Sequence, residues 1–428
     1  MRSIIFFLLF LTGPLLYAQD MNRVREHIAV LCDEDFSGRG YIFNGAEHAA
    51  DWLAVKFEEA GLKPLSPESD QPFFQSFRLR VNTFPATPFL KIGHKKLRLG
   101  RDYILSPTSG SGKVKGEVIF IPDSLLEDTV ALGQYCIATP FEGKVITFDG
   151  RYDPERYRWP SAGVKRLQEA AAIILLEDKL TFGVGRFQWG IPRAIVKRSI
   201  WEKHKGDDRK ITLKVNAEMK DTEGYNVIGK IEGTSSSDSV IVFSAHYDHL
   251  GGIGKNVYFP GGNDNASGVA MLLEMAHWYR QHPPEMSVLL IAFGGEEAGL
   301  VGSRYFVDHP LYPLNKMRFL INMDLFGSGE EGMMAVNGSV FTKEYALLQQ
   351  LNEEKQYLSE IKKRGKAANS DHYFFSEAGV PAFFFYLMGS SWQHYHDIYD
   401  DHRLPLSEFE DAFQLIIRFS DTLMQPQK

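Results

Sequence analysis

The stretch Val240-Ile-Val-Phe-Ser-Ala-His246-Tyr-Asp248-His-Leu-Gly-Gly252 decides the fold class. Its opening run is short, apolar and β-branched, as expected of a strand covered on both faces by helices. In such open α/β sheets the carboxyl ends of the strands collect ligands, and here that end carries His246 and Asp248. Residues two apart on a strand point the same way, so Asp248 can stand behind the His246 ring and fix its tautomer. A helix-capping aspartate beside an incidental histidine would read the same way in isolation.

Working outward, four further segments repeat the theme. Gly261-Gly-Asn-Asp264-Asn265-Ala-Ser-Gly268 precedes a run from Val269 to Tyr279 with apolar residues at helical spacing, which puts Asp264 on a loop at a helix start. Asp264 or Asn265 could simply cap that helix. A carboxylate has two oxygens, however, and can also bridge two cations. The buried run Ser287–Phe293 leads into Gly294-Gly-Glu296-Glu297, and adjacent carboxylates there are costly unless metal or protons compensate them. Arg318-Phe-Leu-Ile-Asn-Met-Asp324 is again strand, then acid. Pro381–Tyr386 leads through Met388-Gly-Ser-Ser-Trp392 to His394-Tyr395-His396 and on to Asp400. Imidazole and carboxylate ligands without cysteine suit zinc in a catalytic site.

The ordered set resembles the co-catalytic di-zinc exopeptidases of metallopeptidase family 28, which includes bacterial leucyl aminopeptidases and glutamate carboxypeptidases. The resemblance covers the chain from about Tyr225 onward. It implies an α/β fold of the zinc-exopeptidase type, a mixed sheet flanked by helices, and two Zn2+ ions. By that resemblance His246 and Asp324 hold one ion, Glu297 and His396 the other, and Asp264 bridges them. Asp248 orients His246, and Glu296 is the general base. His394 competes with His396, but His396 has the family spacing to Asp400. Asp397 stands where the family usually has threonine. Ser370-Asp371-His372 also looks like a family element.

The implied reaction is hydrolysis of an amino-terminal peptide bond, with a carboxypeptidase of the same family as an alternative. Glutaminyl cyclases share the fold and use one zinc. The complete Asp264-Asn265-x-Ser-Gly element, and Glu296-Glu297 running directly into Ala-Gly-Leu-Val-Gly-Ser, count against them. Metal-free binding relatives such as transferrin receptors lose the ligands, whereas this chain has a candidate for each.

Met1-Arg-Ser followed by a short apolar core and Ala18 reads as a secretory signal peptide over residues 1–18, implying a periplasmic or secreted protein. No other stretch approaches the roughly 18 apolar residues of a membrane span, so no membrane insertion is expected after cleavage. The chain has 428 residues, enough for two domains, and a formal net charge of −7, which gives no reason to expect a nucleic acid partner. Val24–Leu31 and Ala46–Ala60 read as helices, so residues 19–64 are expected to lead into the catalytic domain of residues 223–428. The intervening residues 65–222 resemble an inserted, smaller, β-rich protease-associated domain, with strand, helix, strand over Glu142–Leu176. Residues 65–112 give no assignment. Of the two cysteines, Cys32 and Cys136, sequence does not show whether they meet.

Overall fold

A computed structural model of the chain describes residues 19–204 and 210–425; the expected signal peptide lies outside them. Helix α1 (Met21–Leu31) starts at Asp20, whose carboxylate accepts from Asn22 N and Arg23 N. Helix α2 (Gly45–Glu59) follows a tight 3-10 segment, Glu34–Arg39. The strands that matter for the site are β1 (Phe74–Thr83), β2 (Glu218–Ile231), β3 (Val240–His246), β4 (Ser287–Phe293), β5 (Met317–Met323), β6 (Met333–Val336) and β7 (Ala382–Leu387). Within one mixed sheet their order is β2-β4-β3-β5-β7-β6, with β1 paired to β2.

The middle of this sheet, β4-β3-β5-β7, is parallel, and β2 and β6 flank it in antiparallel fashion. Every residue of β3 and β4 is buried. Alternate residues face opposite cores. Ile241, Phe243, Leu290 and Ala292 join the core under helix α3 (Ser267–Gln281), with α1, α2 and the C-terminal helix Phe409–Met424. Val242, Ile291 and Phe293 meet Phe306 and Phe375 on the other face. Burial on both faces explains why these strands read as continuous apolar runs rather than alternating ones. Helix α1 is pinned to α3 by Arg23, whose guanidinium grips buried Glu274 with two contacts of 2.7 Å.

A second sheet has eight strands among the described residues, from Phe89–Ile92 to Lys210–Val215 in chain order. Val145–Asp149, Ala172–Glu177 and Arg193–Lys197 are parallel neighbours in it. It has its own core, which also takes in Leu250, Ile253 and Phe259 from the loop after β3. This sheet does not begin where the sequence reading placed the insert. β1 pairs with β2 over Phe74–Val227 to Thr83–Glu218, so residues 74–83 and 218–222 belong to the first sheet. The physical reason is non-local: β1 alternates buried and exposed residues, and only its long partner β2 supplies the ladder. Cys32 and Cys136 are both free and buried. Among the described residues no helix is long and apolar enough to cross a membrane.

Burial pushes the imidazoles of His27 on α1 and His277 on α3 down to about 4 from an ordinary 6.5. The unfolded chain therefore binds more protons than the folded one between these values, and stability falls as pH drops from about 6.5 toward 4. Thermal unfolding in chelator across that range should show the decline, with a shallower slope in His27→Gln. An unchanged slope would remove His27 as a titrating group.

Candidate metal centre

The carboxyl ends of β3, β4, β5 and β7 open onto one buried cluster. β3 ends at His246, which is 1% exposed. Its Nδ1 lies 3.0 Å from the backbone carbonyl of Asp248. A carbonyl can only accept, so Nδ1 carries a hydrogen, and it is Nε2 that holds the lone pair when the ring is neutral. Nε2 faces Asp264 Oδ1 and Asp324 Oδ1, each at 3.3 Å. Asp248 thus stands behind the ring, but by its main chain. Its carboxylate is 4.0 Å from Nδ1 and instead accepts from Glu296 N and Tyr41 Oη.

Asp264 does not cap α3. Asn265 fills that role, accepting from Gly268 N at 2.9 Å and from Leu325 N at 3.2 Å. The two carboxylate oxygens of Asp264 are divided between histidines, with Oδ1 toward His246 and Oδ2 3.0 Å from His396 Nε2. His396 Nε2 also lies 3.5 Å from Glu297 Oε1. Asp324 Oδ2 accepts from Ser370, which accepts in turn from Asn322, itself bonded to Ser244. That chain gives the Ser370-Asp371-His372 element a concrete place: Ser370 braces Asp324. His394 points elsewhere, 3.4 Å from Asp397 Oδ2.

The charges reinforce this grouping. Burial opposes ionisation of Asp264, yet His246 and His396 outweigh it and hold the carboxyl well below the ordinary range. Burial works against protonated His396, but Glu297 and Asp264 raise it to about 9. Burial pushes Glu296 well above the usual carboxyl range, with His246 opposing and Glu297 adding. The cluster is a field that favours cations. His396 Nε2 and Asp324 Oδ1 are buried without a hydrogen-bond partner although opposite groups lie within reach. Nitrogen and oxygen donors that converge on one spot, with no thiolate, fit zinc. His246, Glu296 and Asp324 form one set of candidate ligand atoms, and His249, Asp264 and Glu297 another.

Three residues were given no role of their own in the sequence reading. His249 is fully buried, and its Nδ1 lies 2.8 Å from Glu297 Oε1. It was visible as the last histidine of His-Tyr-Asp-His, but nothing local says which carboxylate it meets. Asp400 accepts from Asn263 N and Asp264 N, holding the loop that carries Asp264. Arg39 is fully buried and donates to the carbonyls of Leu31, Tyr247, Pro260, Gly261 and Asp264.

The family description of peptidase family M28 matches residues 226–420, the span that supplies every one of the seven residues singled out from sequence. Over these residues the chain is a member of peptidase family M28. Aminopeptidase YwaD of Bacillus subtilis is 27% identical over 293 residues, 66% of this chain and 61% of the relative. The probable lipoprotein aminopeptidase LpqL of Mycobacterium tuberculosis is 30% identical over 265 residues, 57% of this chain and 51% of the relative. The chain thus spans between half and two thirds of the length of these M28-like relatives. Its fold is also that of solved zinc aminopeptidases. The aminopeptidase from Aneurinibacillus sp. strain AM-1 superposes with a TM-score of 0.66 at 19% identity, covering 96% of this chain and 97% of that one. BSAP, a zinc aminopeptidase from Bacillus subtilis, gives 0.67 at 19% identity over 93% and 94%. Both sheets therefore belong to the shared architecture.

Because Asp400 holds two buried backbone donors of the Asp264 loop, Asp400→Ala should lower stability by about 2–4 kcal/mol in urea unfolding. A loss below about 0.5 kcal/mol would mean that solvent replaces the carboxylate freely.

Proposed function

We propose that this chain is an exported, zinc-dependent aminopeptidase that hydrolyses the amino-terminal bond of peptides. One observation carries the reading: Asp264 presents separate oxygens to two histidines, one ending β3 and one on the loop after β7, the arrangement a bridging carboxylate requires. Two zinc ions would be held by His246 and Asp324 on one side and Glu297 and His396 on the other. The aminopeptidase relatives favour the amino terminus, and the sequence-level signal peptide favours a periplasmic or secreted location. The second sheet would be the protease-associated domain, and no nucleic acid partner is expected.

Zinc bound there supplies a polarised carbonyl and a water of lowered pKa. The chain's own residues do the rest. Asp248 O keeps the proton of His246 on Nδ1, and Phe182 O does so for His396, so both Nε2 atoms stay available as ligands. His249 holds Glu297 Oε1, which fixes that carboxylate. The carboxyl group of Glu296 faces His246 and Asp324 instead. Placed there, it is suited to accept a proton from the attacking water and return it to the leaving amine.

Purified protein should hold two zinc ions and lose activity to a chelator. Asp264→Ala should lose both ions, and Glu297→Gln mainly one. Elemental analysis finding at most one tightly held ion in a fully active protein would rule out the pair.

Glu296→Gln should keep both ions while kcat falls at least about a hundredfold with little change in KM. Loss of zinc from that variant would exchange the roles of the two glutamates. Peptides with a free amino terminus should be cleaved and amino-blocked ones should not. Cleavage of blocked peptides from the carboxyl end would turn the reading to a carboxypeptidase, and pyroglutamate formation would turn it to a cyclase.

A further inference from the structure

The loop between the parallel strands Ala172–Glu177 and Arg193–Lys197 of the second sheet reaches into the metal centre. Phe182 N donates to His396 O at 3.0 Å, and His396 Nδ1 lies 3.2 Å from Phe182 O. This reciprocal pair joins residues 214 positions apart. Lys179 Nζ donates to Tyr395 O at 2.8 Å and lies 3.9 Å from Asp397 Oδ2. Each residue from 395 to 397 therefore meets this loop. His396 itself has a φ of 60°, a left-handed backbone that a histidine keeps only where its surroundings impose it.

The loop is in turn anchored by aromatic packing. The Phe182 ring is 6% exposed and stacks on Phe259 with centroids 4.7 Å apart and an interplanar angle of 11°. Phe84 also packs against it, with centroids 6.3 Å apart. Asn82 N donates to Gly185 O at 2.7 Å, tying the same loop to β1. A fixed hydrogen-bond acceptor behind a ligating imidazole sets its tautomer and direction, and loss of such a partner typically weakens metal binding about 10- to 100-fold.

We infer that the second sheet is a working part of the metal centre: Phe182, held by Phe259, is a positioning residue that fixes the tautomer and direction of His396. The inference rests on the proposed two-zinc reading. It assigns the insert a role in assembling the site itself, beyond screening access or touching substrate. Phe182 acts through its main chain, so its ring matters as an anchor and Lys179 as a second tie.

The test is zinc titration of chelator-stripped full-length protein, followed with a competing chromophoric chelator, alongside kcat and KM of the reloaded enzyme. Phe182→Ala should weaken one of the two sites by about 10- to 100-fold and leave the other unchanged. Its kcat should fall more than its KM moves. Phe182→Leu, which keeps an apolar anchor, should recover most of the affinity. Phe148→Leu, buried in the same insert against Trp159, should bind zinc as the wild type does. If Phe182→Ala does not fold, Lys179→Ala, at a half-exposed position, decides the matter by the same selective weakening. Wild-type zinc uptake combined with unchanged affinity in the folded Phe182 and Lys179 variants would overturn this inference alone. Equal weakening by Phe148→Leu would also overturn it. Absence of zinc uptake by the wild type would overturn both readings.

Discussion

Concentrated negative charge at the end of a parallel sheet is the constraint around which this molecule is built. Asp248, Asp264, Asp324, Asp371 and Asp400 are each no more than 5% exposed. Two like charges 4 Å apart repel by about 4 kcal/mol even at an effective dielectric near 20. A chain that buries several carboxylates together must supply cations, protons or dense hydrogen bonding. All three devices are present. His246 and His396 lean toward the cationic form, burial raises Asp371 and Asp400 to about 7, and Asp248 and Asp400 each accept from backbone or hydroxyl donors. The cluster makes physical sense as a place where positive charge arrives.

The loops carrying the acids need a rigid mount, and Arg39 supplies much of it. Its guanidinium is spent on main-chain carbonyls on both sides of the cleft between the β3 turn and the Asp264 loop. The neighbouring glycines let it get there. A Cβ on Gly38, which has a φ of 67°, would stand 2.5 Å from Gly251 O and Phe259 O. One short segment near the amino terminus thus braces the turn that holds His246 and the turn that holds Asp264.

What could be read from sequence follows the range of the interactions. Strands β3, β4, β5 and β7 and the ligands after them were legible because an apolar run followed by a ligand is a local pattern, whereas β6 carries no ligand and was not read. Asp264 was legible as a loop residue, though only the structure shows Asn265 taking the cap and freeing it. The partners that hold those ligands were not legible. Arg39 meets Gly261, Asp400 meets Asn263 and Phe182 meets His396, and each pair is more than a hundred residues apart. The edge of the insert failed for the same reason. The alternation in Phe74–Thr83 marks a strand, but its assignment to the first sheet depends on β2, far along the chain. Asp248 was misjudged by one atom group, since sequence fixes which residue follows the histidine and not whether its carbonyl or its carboxylate turns inward.

The two adjacent glutamates show how position alone separates identical side chains. Glu297 Oε1 lies 2.8 Å from His249 and 3.5 Å from His396, so it is held in place between two imidazoles. Glu296 is tied by its main chain instead, with its N–H on Asp248 and its carbonyl accepting from Gly299 and Leu300. Its backbone is fixed while its carboxyl group looks toward His246 and Asp324. A ligand needs its oxygen immobilised, whereas a base needs a fixed origin and a carboxyl group free to exchange a proton. On the proposed reading Glu297 meets the first requirement and Glu296 the second. The glycines at 294 and 295 make that division possible: added side chains would collide with Tyr225 O at the first and crowd Phe77 at the second, where φ is 73°. The strand can therefore turn sharply enough to aim consecutive residues at different tasks.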